Sequence, residues 1–560
     1  MINFIIKYKK AWLYGALFFT LGLTSGCESN IDLEPQGIIT AEGYFKSQED
    51  FEKALNGLYD RFNYDNYPFW MDGVTDNALV NHSWNWGYDL SLGNGSPTSS
   101  FSTEKWKRSY ISIQRTNNVI NNIDRFQWPG GEKDVNRIRI LGESKTIRAF
   151  FYLDLLGSFG RIQFYTENPA TVADSKVLKQ IEDMKPVYDF LLKDLKEAID
   201  GLPEKPAHKF KIGKPAARLL RARIAAYAAG YLKDKNYYNI TLEETAILLA
   251  SAPKLGDYNK LFIDECEKID EVILAKGYSI DKKNGWGNWY NQSINGYCVT
   301  VPTKSMVDAY EYLKPRDEKM PYLYKDPRLY ATIYVPGMKL RDMYYNTIPN
   351  NVVVKNGKSY FDPSKEYGSL QDAPVSVGDV LGEGGGSEWN KTCTGFTWKK
   401  YCQGLETWNT FNSFIVFRYA EAYLLRSEAI VETNGDIAEA KGLLKIIRDR
   451  AGNTNEIDEV VSNLYGGNLL SLIRNEARIE FAHEGLRFFD IRRWDILLDV
   501  MNKPIGGVEY YENTKSGREH KVLVPAVRTN YTAKDYWWPI PQEEIDVNEG
   551  RLTQNIDWNK

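Results

Sequence analysis

The chain has 560 residues, of which 43% are hydrophobic and 26% charged, with a net charge of −4. That balance argues against a disordered chain, and without a long basic run the electrostatic footprint of a nucleic-acid binder is missing. Four scattered histidines (His82, His208, His483, His520) argue against a multi-histidine zinc or iron site, whereas 15 Trp, 37 Tyr and 24 Phe, 14% of the chain, need an explanation.

Taken in chain order, Lys7, Lys9 and Lys10 precede an apolar stretch from Ala11 to Leu23. The stretch has the length of a signal-peptide core and falls short of the ~20 apolar residues of a membrane span. It runs through Thr24-Ser25-Gly26 into Cys27. This resembles the lipobox of bacterial lipoproteins, which is cut before the cysteine and diacylated on its thiol; Thr24 stands where Leu is more usual. The alternative is a secretory peptide with a chance cysteine. Residues 1–26 are therefore expected to be a signal peptide, and 27–560 a single lipid-anchored domain. Of the later cysteines, Cys393 and Cys402 bracket a short polar stretch that a disulfide would close; Cys266 and Cys298 complete the set, and simple burial is the alternative for each.

Helical periodicity predicts helices over 50–62, 112–124, 138–156, 186–200, 215–232, 243–250, 417–433, 436–450 and 471–484. Pro186 and Pro215 sit at helix starts, Gly201 and Asn434-Gly435 at helix stops, and Asp436 is placed to cap the helix that follows. Alanines at 216, 217, 222, 225, 226, 228 and 229 allow a neighbouring helix to approach closely. The fold class expected is mainly α, with tetratricopeptide-like helical hairpins as scaffold. Long polar, aromatic-rich insertions at roughly 63–106, 277–300 and 335–412 interrupt it, and loops of that length are usually functional. The domain divides into a helical part at 27–250, a loop-rich part at 251–412 and a second helical part at 413–560.

Several separated blocks then resemble the SusD/RagB family of nutrient-binding lipoproteins. Near the front stand Thr40-Ala41-Glu42-Gly43-Tyr44-Phe45 and Ala54-Leu55-Asn56-Gly57-Leu58-Tyr59. Arg148-Ala149-Phe150-Phe151-Tyr152-Leu153, Gly213-Lys214-Pro215-Ala216-Ala217, Phe417-Arg418-Tyr419-Ala420-Glu421-Ala422 and Ile447-Arg448-Asp449-Arg450-Ala451-Gly452 follow. The most specific is Glu480-Phe481-Ala482-His483-Glu484-Gly485-Leu486-Arg487-Phe488-Phe489-Asp490-Ile491-Arg492-Arg493-Trp494, and Trp538-Pro539-Ile540-Pro541 closes the series. The resemblance implies a protein that binds and does not catalyse. It also implies an outer-membrane location facing the exterior and a TonB-dependent transporter of SusC type as partner.

A sugar ring has an apolar C–H face and polar edges, which suits a flat aromatic ring flanked by amides and carboxylates. Two windows have that composition: Trp84, Trp86 and Tyr88 following Trp70, Asp72, Asp76 and Asn77, and Trp286, Trp289 and Tyr290 preceding Tyr297. These residues are the expected oligosaccharide site; pinning of loops to the scaffold is the alternative. Trp106 and Tyr110 are expected in the core, and Trp537 and Trp538 packing the C-terminal tail. A peptide ligand, or a glycoside hydrolase using Asp72 or Asp76 with Asp89, are the rival functions.

Glu476, Glu480 and Glu484 recur every four residues and would share one helical face. With Arg474, Arg478, Arg487, Arg492 and Arg493 close in sequence, a neutralised structural network is expected in preference to acid–base chemistry. Asp264, Glu265, Glu267 and Asp270 are a candidate calcium set, but lack the turn glycine of an EF loop, so a solvated acidic surface is preferred and no cofactor is expected.

Overall fold

The computed structural model describes residues 41–62, 66–169, 178–263, 265–290, 292–381, 390–402, 408, 410–515, 517–548 and 550–558. The expected signal peptide and Cys27 lie outside them. Residues up to Lys46 form one unit, in which Ala41–Tyr44 is a short helix, and residues 47–560 form a second.

The scaffold of the second unit is a run of antiparallel helices, each packed on the next: Ser100–Asn121, Val135–Phe159, Lys185–Gly201, Lys214–Tyr231, Tyr238–Ala250, Tyr419–Glu432 and Ile437–Ala451. Local chemistry sets their ends. Asp134 accepts from the backbone N–H groups of Asn136 and Arg137, and Asp436 from those of Ala438 and Glu439. Gly452 closes its helix in the left-handed region at φ 76°. All seven alanines of Lys214–Tyr231 are buried, which lets the helix take a neighbour on each side. Gly230 allows a close approach: a Cβ there would lie 2.5 Å from the carbonyl oxygen of Arg493. The fold is mainly α, about 47% helical, as the periodicity predicted. The helix placed at 112–124 begins earlier, at Ser100, because Trp106 supplies a buried anchor one turn before Tyr110, whose hydroxyl donates to the Gln163 carbonyl at 2.8 Å.

Residues 251–418 interrupt this stack without breaking it, since Tyr238–Ala250 packs directly on Tyr419–Glu432. An antiparallel ribbon of Val272–Lys276 with Phe414–Arg418 draws the neck of the insertion together. Within it, and throughout the described residues, every sheet is two-stranded. The stretch 335–412 is thus not plain loop: it contains the hairpins Lys339–Leu340 with Met343–Tyr344 and Val352–Lys355 with Lys358–Phe361.

A buried charge network bolts the insertion to the C-terminal helices. Arg328, from the insertion, reaches Glu476 at 2.8 Å and Glu480 at 3.1 Å. Arg418 spans Glu480 (2.6 Å), Glu484 (2.8 Å) and Glu271 (3.1 Å). Arg448 joins Glu476 to Glu311, Arg450 joins Glu480 to Glu271, and Lys400 reaches Glu484 at 2.6 Å. Burial alone would raise the carboxyl of Glu480, but Arg450, Arg418 and Arg328 hold it well below the usual range. The glutamates are structural, as expected, but their partners are distant in sequence. The neighbouring arginines act elsewhere: Arg493 on Glu428 and Asp490, Arg474 on Glu432, Arg492 on the Phe488 and Asp535 carbonyls, and Arg478 and Arg487 on Asp76. Glu484 also departs from the expected stack. The helix ends at Glu480, and Glu484 enters the network from the turn beyond it.

The tail packs as expected. Trp538 is buried against Phe101, Phe159 and Phe488, and Trp537 lies over Gly160 and Tyr231. Cys266, Cys298, Cys393 and Cys402 are all buried and in no disulfide, so the expected 393–402 bridge is absent. Glu265 pairs with Lys268, and Asp270 reaches Lys209 at 4.0 Å. Asp264 lies outside the described residues, which include no cluster able to hold a metal ion.

Candidate functional site

An antiparallel ribbon, Ala78–Val80 with Thr300–Pro302, brings the two aromatic windows side by side. The pairing runs on, with Asn81 N–H donating to the Val299 carbonyl at 3.0 Å and Val299 N–H to the Asn288 carbonyl at 2.9 Å. The windows nevertheless have different fates.

Trp286, Trp289 and Tyr290 are at most 1% exposed. The short helix Tyr67–Gly73, with Pro68 in its first turn, drives Phe69 between them. Phe69 meets Trp286 and Trp289 edge-on at 5.2 and 5.3 Å, and Trp70 meets Trp289 at 5.6 Å. The Trp286 indole N–H donates to Asn66 at 2.8 Å. On its other side Phe69 stacks on His483 at 4.3 Å, and His483 on Trp398 at 4.3 Å. Trp70, Trp286, Trp289 and Tyr290 are therefore core, not ligand surface. Gly and Asn beside them signalled an irregular backbone, and that backbone is buried because apolar rings flank it.

The polar candidates of the same stretch are buried too. Asp76 takes a bidentate contact from Arg487, both bonds 2.9 Å, and a third from Arg478 at 3.0 Å. Burial opposes its charge, but these arginines hold its carboxyl well below the usual range. Asn77 accepts from Arg478 at 2.8 Å and donates to Asp72 at 3.1 Å, while the His483 backbone N–H also donates to Asp72. Burial pushes Asp72 up to about 7. Asp89 accepts from the Ser99 hydroxyl. With Asp72 and Asp76 sealed inside and Asp89 held by Ser99, these residues form no open carboxylate pair for glycoside hydrolysis.

What faces solvent is Trp84, 61% exposed, and Tyr297, 45% exposed. Trp86 and Tyr88 are half-buried, Trp86 leaning on Tyr67, Trp70 and Phe101. Trp84 stacks on His82 with ring centroids 4.5 Å apart and planes 5° from parallel. Tyr297 packs on Trp408 at 4.8 Å, and the Trp408 indole N–H donates to the Asn295 carbonyl at 2.8 Å. Gly287 makes room for that indole: a Cβ there would lie 2.4 Å from it. Sequence reasoning missed His82 and Trp408. A signal existed for the second, since Trp408-Asn409-Thr410-Phe411-Asn412 repeats the aromatic–amide composition, and Phe411 is 52% exposed. Trp84 on His82 and Tyr297 on Trp408 thus each present an aromatic ring to solvent, surfaces suited to an amphipathic ring ligand.

Comparison with known proteins adds the family. Residues 270–558 match the model of the SusD family, and residues 31–226 a model described as "Starch-binding associating with outer membrane". The starch-binding protein SusD of Bacteroides thetaiotaomicron is 24% identical over 599 residues, covering 98% of this chain and 99% of the relative. A SusD-like protein of Bacteroides ovatus is 21% identical over 559 residues, 93% of each. Among solved structures, a SusD-like carbohydrate binding protein of Bacteroides fragilis superposes with TM-score 0.74 at 22% identity, covering 91% of this chain and 100% of that one. Surface glycan-binding protein A of Bacteroides thetaiotaomicron, in complex with laminarihexaose, does so with TM-score 0.65 at 19% identity, covering 90% and 99%. These likenesses establish a shared fold.

Proposed function

The chain belongs to the SusD family, and from that premise we propose that it binds an oligosaccharide or polysaccharide on the rings of Trp84, Tyr297 and Trp408 and hands it to a TonB-dependent transporter of SusC type. It does so without catalysis, anchored in the outer membrane through a lipid on Cys27 and facing the exterior. The observation that carries the glycan reading is the exposed Trp84 indole lying flat on a buried ring, 4.5 Å from His82. A large apolar face kept in water and held in one plane is what a sugar ring needs. The laminarihexaose held by a protein of the same fold supports the same ligand class. For the anchor, Thr24-Ser25-Gly26-Cys27 behind an apolar core is the support, together with a family-model description that mentions the outer membrane. No helix among the described residues is long and apolar enough to cross a membrane.

A few stacked rings give modest affinity, so micromolar to millimolar binding is expected, about −4 to −8 kcal/mol. Titration calorimetry of residues 28–560 against a panel of polysaccharides and their oligomers, laminarihexaose included, tests the reading. Saturable heat with one glycan class supports it. Continuous heat after each injection would mean turnover, and silence across the panel would direct the search to peptides.

A further inference from the structure

Trp84 lies face to face on the residue beneath it. His82 is 3% exposed, and its Nε2 lies 2.9 Å from the Asn81 carboxamide nitrogen. The orientation of that carboxamide is set by backbone groups of a distant segment. Its oxygen accepts from the Cys393 N–H at 3.0 Å, and its nitrogen donates to the Lys391 carbonyl at 2.6 Å. The nitrogen end therefore faces the imidazole as a donor, and Nε2 accepts. The proton of the neutral ring then sits on Nδ1, which is buried and makes no hydrogen bond. An Nε2–H would instead meet Asn81 donor to donor.

We propose that His82 is a positioning residue for Trp84, locked as its Nδ1–H tautomer by Asn81, and that this stack sets the plane that the glycan meets. The proposal rests on the glycan reading of Trp84 for its consequence, though not for its geometry. It makes the segment around Lys391–Cys393, remote in sequence, a determinant of the Trp84 platform. The titratable and charged groups on the elements nearby are Lys391 and Cys393 on the segment that orients Asn81, Cys298 on the facing strand extension, and Asp379, which is bonded to the Gln292–Ser293 turn. None of them is bonded to the imidazole, and burial is what lowers its pKa from the ordinary histidine value. A neutral ring at pH 7 is what the lock requires.

The test reads Trp84 directly and needs no ligand. An imidazolium in face contact quenches indole emission by accepting an electron from the excited ring, so protonation of His82 is visible at Trp84. The Trp84 emission is obtained as the difference between the wild-type chain and Trp84→Phe, and is followed from pH 8 to pH 4. In the wild type it should fall with a midpoint below that of an ordinary histidine. His82→Phe, which keeps a flat ring without a titrating nitrogen, should abolish the fall. Asn81→Ala should move the midpoint upward by about one pH unit, a tenfold change in proton affinity, because the opposing donor is gone. Emission that ignores pH in the wild type, or a pH dependence that survives His82→Phe, would overturn the proposal. If Trp84 were not the glycan platform, Trp84→Ala would bind the calorimetrically identified glycan normally while the emission profile stayed as described. The two readings therefore fail separately.

Discussion

The windows Trp84–Tyr88 and Trp286–Tyr290 share a composition of indoles, phenols, glycine and asparagine, and they lie side by side across one ribbon. Trp84 is 61% exposed, whereas Trp286 is fully buried. The difference lies underneath. The second window has Phe69 inserted between its rings, then the Phe69–His483–Trp398 stack, then the Glu480–Arg418 network. The first has a buried imidazole against its leading indole, which keeps most of its surface in solvent. An aromatic ring is a platform or a plug according to what arrives on its second face, and that arrival is a long-range event.

The contrast can be broken from below first. Arg418→Ala leaves Glu271, Glu480 and Glu484 short of a shared cation in a buried site, and the expected loss is about 3–5 kcal/mol or more. Chemical denaturation should show it, and a loss below about 1 kcal/mol would mean that the network does not hold the second window's floor. Trp286→Ala opens a cavity among Phe69, Tyr278 and Tyr401 and should cost about 3–5 kcal/mol. An unchanged unfolding midpoint would return that ring to the list of ligand residues.

Acid sharpens the comparison. The Glu480 carboxyl is held below its ordinary 4.5 in the folded protein by Arg450, Arg418 and Arg328, against the opposing effect of burial. A depressed folded pKa contributes stability that is present above the unfolded value and is lost as pH falls through the folded one. The contribution of Glu480, read as the difference in stability between wild type and Glu480→Gln, should therefore hold from pH 7 to about 4.5 and shrink below it. A difference that stays level to pH 3 would contradict the paired state of this carboxylate.

The smallest effect on stability is expected at the exposed ring. Trp84→Ala should change stability by no more than about 0.5 kcal/mol. In calorimetry it should weaken glycan binding at least tenfold, about 1.4 kcal/mol. A stability loss rivalling that of Trp286→Ala would erase the distinction between the windows.

Much of the fold was legible because it is local. Pro186, Pro215, Asp436 and the alanines of Lys214–Tyr231 act within a few residues of themselves, so caps, starts and close-packing faces can be read along the chain. Glu476, Glu480 and Glu484 could be read as structural because stacked carboxylates need cations, although the arginines nearby in sequence that suggested this pair elsewhere. The identity of those cations could not be read, because Arg328 and Arg448 reach Glu476 from residues that chain proximity does not single out. Of the candidate site, composition found the two windows and the exposed Trp84 and Tyr297, but it also swept in Trp70, Asp72, Asp76, Asn77, Trp286, Trp289 and Tyr290. Several of those find their partners at residues distant in sequence, such as Arg487 for Asp76 or Phe69 for Trp286.

By itself, then, the sequence determined the helical scaffold, the family and the presence of aromatic insertions, since periodicity, capping and ordered motif blocks are properties of the chain read in one dimension. Only the tertiary structure decided which rings face water. The physical reason is that burial belongs to pairs of surfaces. Whether an indole is covered depends on whether Phe69 or solvent reaches its other face, and residue type does not carry that information.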